Sequence, residues 1–72
     1  MSDRPETLSE LARRHVREGE ERLARQAAIV ARLERDNQPI AAALGRSILE
    51  TMRTSLEMAK RHLRQIEERP KS

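Results

Sequence analysis

Apolar residues recur at alternating steps of three and four through Leu49, Met52, Leu56, Ala59, Leu63 and Ile66, and at steps of seven through Val16, Leu23 and Val30. Each half of the chain therefore carries a coiled-coil seam. The one break between the halves is Asp36-Asn37-Gln38-Pro39, too short to let two long helices do anything but fold back on each other. The predicted fold is all-α: an antiparallel two-helix hairpin with coiled-coil-like packing, occupying residues 1–72 as a single domain.

Boundary signals give the hairpin its limits. Thr7-Leu8-Ser9-Glu10 fits a capping box, in which hydroxyl and carboxylate each satisfy a backbone N–H of the first turn. Asn37 suits a left-handed helix end, Gln38 the junction, and Pro39 the first position of a new helix, where a missing N–H costs nothing. Pro70 stops the second helix and leaves Pro70-Lys71-Ser72 as a tail. Helix one is expected over about residues 7–36, the turn at 37–38, and helix two over about 39–69.

A tight turn at Asn37 and Gln38 makes the numbers of facing residues add to about 75. The facing pairs are then Leu33 with Ala42, Val30 with Gly45, Gln26 with Leu49, Leu23 with Met52, Gly19 with Leu56, Val16 with Ala59, Ala12 with Leu63, and Ser9 with Ile66. Small faces large in most layers, as interdigitated packing demands. Gly19 and Gly45, each awkward inside its own helix, become holes for Leu56 and Val30. Gln26, a polar residue in the seam, reads as a determinant of register or oligomeric state.

This seam is a meagre core. With 72 residues, no cysteine and no aromatic residue, neither disulfides nor large ring burial supplements it, and oligomerisation is the remaining route to stability. Ile29, Ile40, Leu44 and Ile48, with Ala28 and Ala31 nearby, leave an apolar face at the turn end. A second copy of the chain, giving a homodimeric four-helix bundle, is the expected cover.

Charge narrows the remaining functions. The net charge is +3, yet Glu6 to Asp36 contains seven acids and seven arginines, and Glu18 with Arg22, Glu21 with Arg25 and Glu57 with Arg61 have the i,i+4 spacing of solvated helical ion pairs. The exception is the open end, where Arg13, Arg14 and Arg17 fold beside Lys60, Arg61 and Arg64 with few acids between them. Such a cluster suits an acidic protein surface or phosphates. No helix-turn-helix, zinc motif or zipper-linked basic region accompanies it, which argues against sequence-specific DNA reading and leaves a nucleic-acid accessory role as the alternative.

His15 and His62 fall at one level near that open end, with Glu18 a turn away. A metal or proton-responsive site is the sharper reading and a pair of ordinary boundary residues the plainer one; no metal or cofactor is assigned. Catalytic residues are not expected, because no phosphate loop, nucleophile elbow or cleft with paired carboxylates occurs, and Ser55 stands two turns from His62. No apolar run reaches membrane-spanning length, and Met1-Ser2-Asp3-Arg4-Pro5 lacks the core of a signal peptide, so a cytoplasmic setting is expected.

The stretch His15-Val16-Arg17-Glu18-Gly19-Glu20, followed by Gln26, Leu33, Leu49-Glu50-Thr51, Leu56 and His62-Leu63, resembles a group of short uncharacterised bacterial helical proteins, mostly proteobacterial. The likeness runs from Leu11 to Ile66. It implies a helical hairpin in a bacterial cytoplasm and supplies no reaction or ligand. The sequence thus points to a non-enzymatic interaction module, a small regulator or adaptor whose partners are itself and another protein.

Overall fold

A computed structural model of the chain describes residues 5–68. Two helices, α1 (Leu8–Arg35) and α2 (Pro39–Glu67), pack along their length as a hairpin, and no strand occurs among the described residues. The expected ends at Met1–Arg4 and from Arg69 through the Pro70-Lys71-Ser72 tail lie outside the described residues.

Local chemistry explains each boundary. Thr7 is extended at φ −73° and ψ 163°, and its hydroxyl accepts the Glu10 N–H at 3.1 Å while the Glu10 carboxylate accepts the Thr7 N–H at 2.8 Å. That reciprocal pair satisfies two of the donors a helix start leaves open. The bond from the Thr7 backbone also holds the Glu10 carboxyl below its ordinary pKa, since only the charged form accepts it fully.

At the other end of α1, Asn37 adopts φ 55°. This left-handed step lets the Gln38 N–H reach back to the Leu33 carbonyl at 2.9 Å and the Asn37 N–H to Glu34 at 3.2 Å, the two bonds of a Schellman closure. Asp36 caps α1 rather than extending it, one residue short of the expected end, because the reversal needs a residue on each side of Asn37. Pro39 follows as the first residue of α2, with the Gln38 carbonyl already accepting from Ala42 at 2.8 Å. The last helical bond described in α2 runs from the Glu68 N–H to Arg64.

The seam packs tightly where glycine permits it. A Cβ placed on Gly45 would lie 2.9 Å from Val30 Cγ2, and one on Gly19 would lie 3.1 Å from Leu56 Cδ1. Ala12, Val30, Ala42, Gly45, Leu49 and Leu56 are buried. Val16, Gly19, Leu23, Leu33, Met52, Ala59, Leu63 and Ile66 are half-covered. Gln26 does not simply face Leu49: its amide donates to the Gly45 carbonyl at 3.1 Å, one turn nearer the hairpin bend. The molecule measures 55 × 30 × 12 Å, one helix thick. Two broad surfaces consequently remain on either side of the seam.

Candidate functional site

The two surfaces differ in kind. Along one flank, Arg13 meets Glu67 at 2.6 Å, Lys60 meets Glu20 at 3.8 Å, and Arg46 meets Glu34. The numbers of each pair total 80, so the three bridges are successive rungs of one ladder beside the seam. All cross-helix ion pairs among the described residues lie there. The positions on this flank carry six cations (Arg13, Arg17, Arg46, Arg53, Lys60, Arg64) and six acids (Glu10, Glu20, Glu34, Glu50, Glu57, Glu67), which makes it charged but balanced.

Three of the six open-end cations are accordingly engaged. Besides Arg13 and Lys60, Arg14 grips Glu6 through two nitrogens at 2.8 and 3.1 Å and approaches Glu18 at 3.8 Å, and Glu6 holds its guanidinium pKa above the ordinary value. The sequence reading of a cluster with few acids between its cations is corrected here: folding interleaves acids from the facing helix and the preceding turn. Arg17, Arg61 and Arg64 make no ion pair among the described residues, and they do not form one patch, since Arg61 turns toward the opposite flank.

The i,i+4 pairs also differ from expectation. Arg14–Glu18 at 3.8 Å and Arg32–Asp36 at 4.0 Å form, whereas Glu18–Arg22, Glu21–Arg25 and Glu57–Arg61 do not among the described residues. Exposed pairs of this sort contribute so little that competing partners decide between them; Glu18 is drawn back to Arg14.

The opposite flank is neutral along α2. Its positions there are Ala41, Leu44, Ile48, Thr51, Ser55, Met58, His62 and Gln65, with no formal charge. The Thr51 hydroxyl is turned inward to the Ser47 carbonyl at 3.2 Å, so it presents little polarity. Ile29 is 51% exposed, Ile40 79%, Leu44 64% and Ile48 53%, and two further bulky residues, Leu8 and Met58, are equally bare at 57% and 63%. Leu8 and Met58 escape a sequence reading because neither belongs to the seam or to the apolar stripe at the turn end; only the three-dimensional flank joins them to the rest.

Two contiguous open grooves run along this flank. One is lined by Ala12, His15, Met58, Ala59, Arg61, His62 and Gln65, the next by His15, Gly19, Arg22, Thr51, Met52, Ser55, Leu56 and Ala59. Small residues on both helices leave the seam uncovered there. The structure brings His15 and His62 into one groove, which Arg61 also lines, and Glu18 is occupied by Arg14. No cluster of three or more metal-ligating side chains forms among the described residues, and two imidazoles without a third ligand are a poor set for a cation. Neither helix is long and apolar enough, among the described residues, to cross a membrane.

Comparison of the chain with family models, with curated proteins and with solved structures gives no match.

Proposed function

We propose that this protein is a non-enzymatic helical interaction module, a small regulator or adaptor, that pairs with a second copy of itself into a four-helix bundle. The carrying observation is the asymmetry of the hairpin: Ile29, Ile40, Leu44 and Ile48 stand exposed on the flank that lacks cross-helix ion pairs. A ladder of ion pairs is favoured by water around it, whereas the exposed aliphatic side chains of the other flank gain by leaving water.

Area supports the same reading. The chain exposes 6128 Å², against about 4,600 Å² for a compact monomer of 8.3 kDa. The excess, about 1,500 Å², covers the roughly 800 Å² per partner of a stable interface. Shallow grooves in a rod one helix thick give little means of excluding water from a reaction, which favours binding over catalysis.

Light scattering on the full chain at micromolar concentration tests this. The expected mass is twice 8.3 kDa, with Ile48→Glu shifting it to the monomer. A monomeric wild type, or an Ile48→Glu variant of unchanged mass, would overturn the assignment.

A further inference from the structure

We infer that the two copies lie with their turns at opposite ends, so that the isoleucines of each fill the histidine-lined groove of the other. The inference rests on the reading above, that a second copy covers the flank without cross-helix ion pairs, and adds the geometry by which it does so. Most of the exposed bulk of this flank lies in the turn half and the hollows in the middle and open half, where Met58 lines the groove and Leu8 stands near the open end. Ile29 and Ile48 project at one level of the turn half, while both grooves lie in the middle and open half, opened by Ala12, Gly19 and Ala59.

The spacing of these parts is symmetric. Ile29 and His15 are 14 residues apart, as are Ile48 and His62, four helical turns or about 21 Å in each case. The midpoints are Arg22 and Ser55, which share a level in the hairpin register. A two-fold axis passing between the copies at that level, perpendicular to the helices, carries the isoleucine pair of one onto the histidine pair of the other. Knobs thereby meet hollows at both ends, as an isologous interface requires.

The pairing of Glu18 with Arg25 suits this orientation. The formal charges on the flank are Glu18, Arg22, Arg25 and Arg32 of α1, with Arg61 of α2 lining the first groove. The same axis sets Glu18 of one copy against Arg25 of the other, twice over, and brings the two Arg22 side chains to one level, where each must turn to a Glu18 carboxylate or to water at the rim. With turns at the same end, Glu18 would instead lie over Met58. The Gly19 and Ala59 hollows of both copies would then coincide and leave a void that close packing does not tolerate.

The chain contains no cysteine, so a single spin label at Arg35→Cys, an exposed site at the turn end of α1, reports the orientation directly. Opposed turns place the two labels about 40 Å apart, thirteen helical rises on either side of the axis. A separation below about 25 Å, the span of neighbouring helices plus label arms, would overturn the orientation while leaving the dimer standing. Light scattering on the same labelled sample separates the two failures: a monomeric mass would remove the dimer and this arrangement together.

Discussion

Val30 and Gly45 approach so closely that a single added methyl cannot fit between them. A Cβ on Gly45 would stand 2.9 Å from Val30 Cγ2, with the Gln26 amide nitrogen at 3.5 Å. Val30 is β-branched and buried, so its χ1 has little freedom to yield. Gly45→Ala should therefore destabilise by about 1 to 3 kcal/mol through overpacking, despite a gain in helix propensity of about 1 kcal/mol. Thermal unfolding checks it, and Val30→Ala in the same chain should recover part of the loss. Additive losses would mean that the two residues do not touch.

Gly19 should respond with the opposite sign to alanine. Its added Cβ would meet only Leu56 Cδ1, at 3.1 Å, the far end of a flexible side chain bordered by an open groove. Leu56 can give the few tenths of an ångström needed, and removing a glycine from mid-helix contributes up to about 1 kcal/mol. Gly19→Ala should raise the melting temperature. Gly19→Leu should lower stability by about 1 to 3 kcal/mol, because a full leucine exceeds the hole. A destabilised Gly19→Ala would show that Leu56 is pinned.

Two glycines thus look alike in the sequence, each facing a large residue, and differ only in what their neighbours can do. The hairpin itself was legible from the seam spacing, from Thr7 and Glu10, and from Asn37 followed by Pro39, since these act through local backbone chemistry. The ionic ladder was not: Glu34 with Arg46 and Glu20 with Lys60 lie on different helices, and which of several nearby acids each cation meets depends on side-chain conformation. The same holds for the groove that joins His15 to Gly19 and Ser55, a product of absent side chains on both helices. Exposure of Ile29 and Ile48 was readable; that Leu8 and Met58 extend the same flank was not.

Acid should loosen the start of α1. The Glu10 carboxyl is held below its ordinary pKa by the Thr7 backbone and hydroxyl. Its contribution to stability is therefore complete above the unfolded carboxylate pKa and is lost as pH falls through the lowered folded value. Glu10→Gln keeps a neutral acceptor, so its thermal midpoint should fall less between pH 6 and about 2 than that of the wild type. Thr7→Ala should cost about 1 kcal/mol at neutral pH. Equal acid sensitivity of wild type and Glu10→Gln would remove Glu10 from the account.

The bend should tolerate glycine and reject branched residues. Asn37 holds φ 55°, a conformation that costs an ordinary L-residue about 1 to 2 kcal/mol and glycine nothing comparable. Asn37→Gly should be neutral or stabilising. Asn37→Val should destabilise by about 1 to 2 kcal/mol or more, observable as a lower midpoint in urea. An indifferent Asn37→Val would mean that the Schellman closure is dispensable.

The ionic ladder and the aliphatic flank should separate cleanly under mutation. Arg46 and Glu34 are each 52% exposed in their side chains, so Arg46→Ala should cost no more than about 1 kcal/mol, less in high salt. Glu34→Lys should cost more than simple loss of the pair, because it sets two cations on facing positions, and Arg46→Glu in the same chain should restore the attraction with reversed polarity. Since this flank faces water in the proposed bundle, none of these changes should alter the mass measured by light scattering, whereas Ile48→Glu should. A ladder variant that dissociates the dimer while retaining its helicity would place the interface on the charged flank instead.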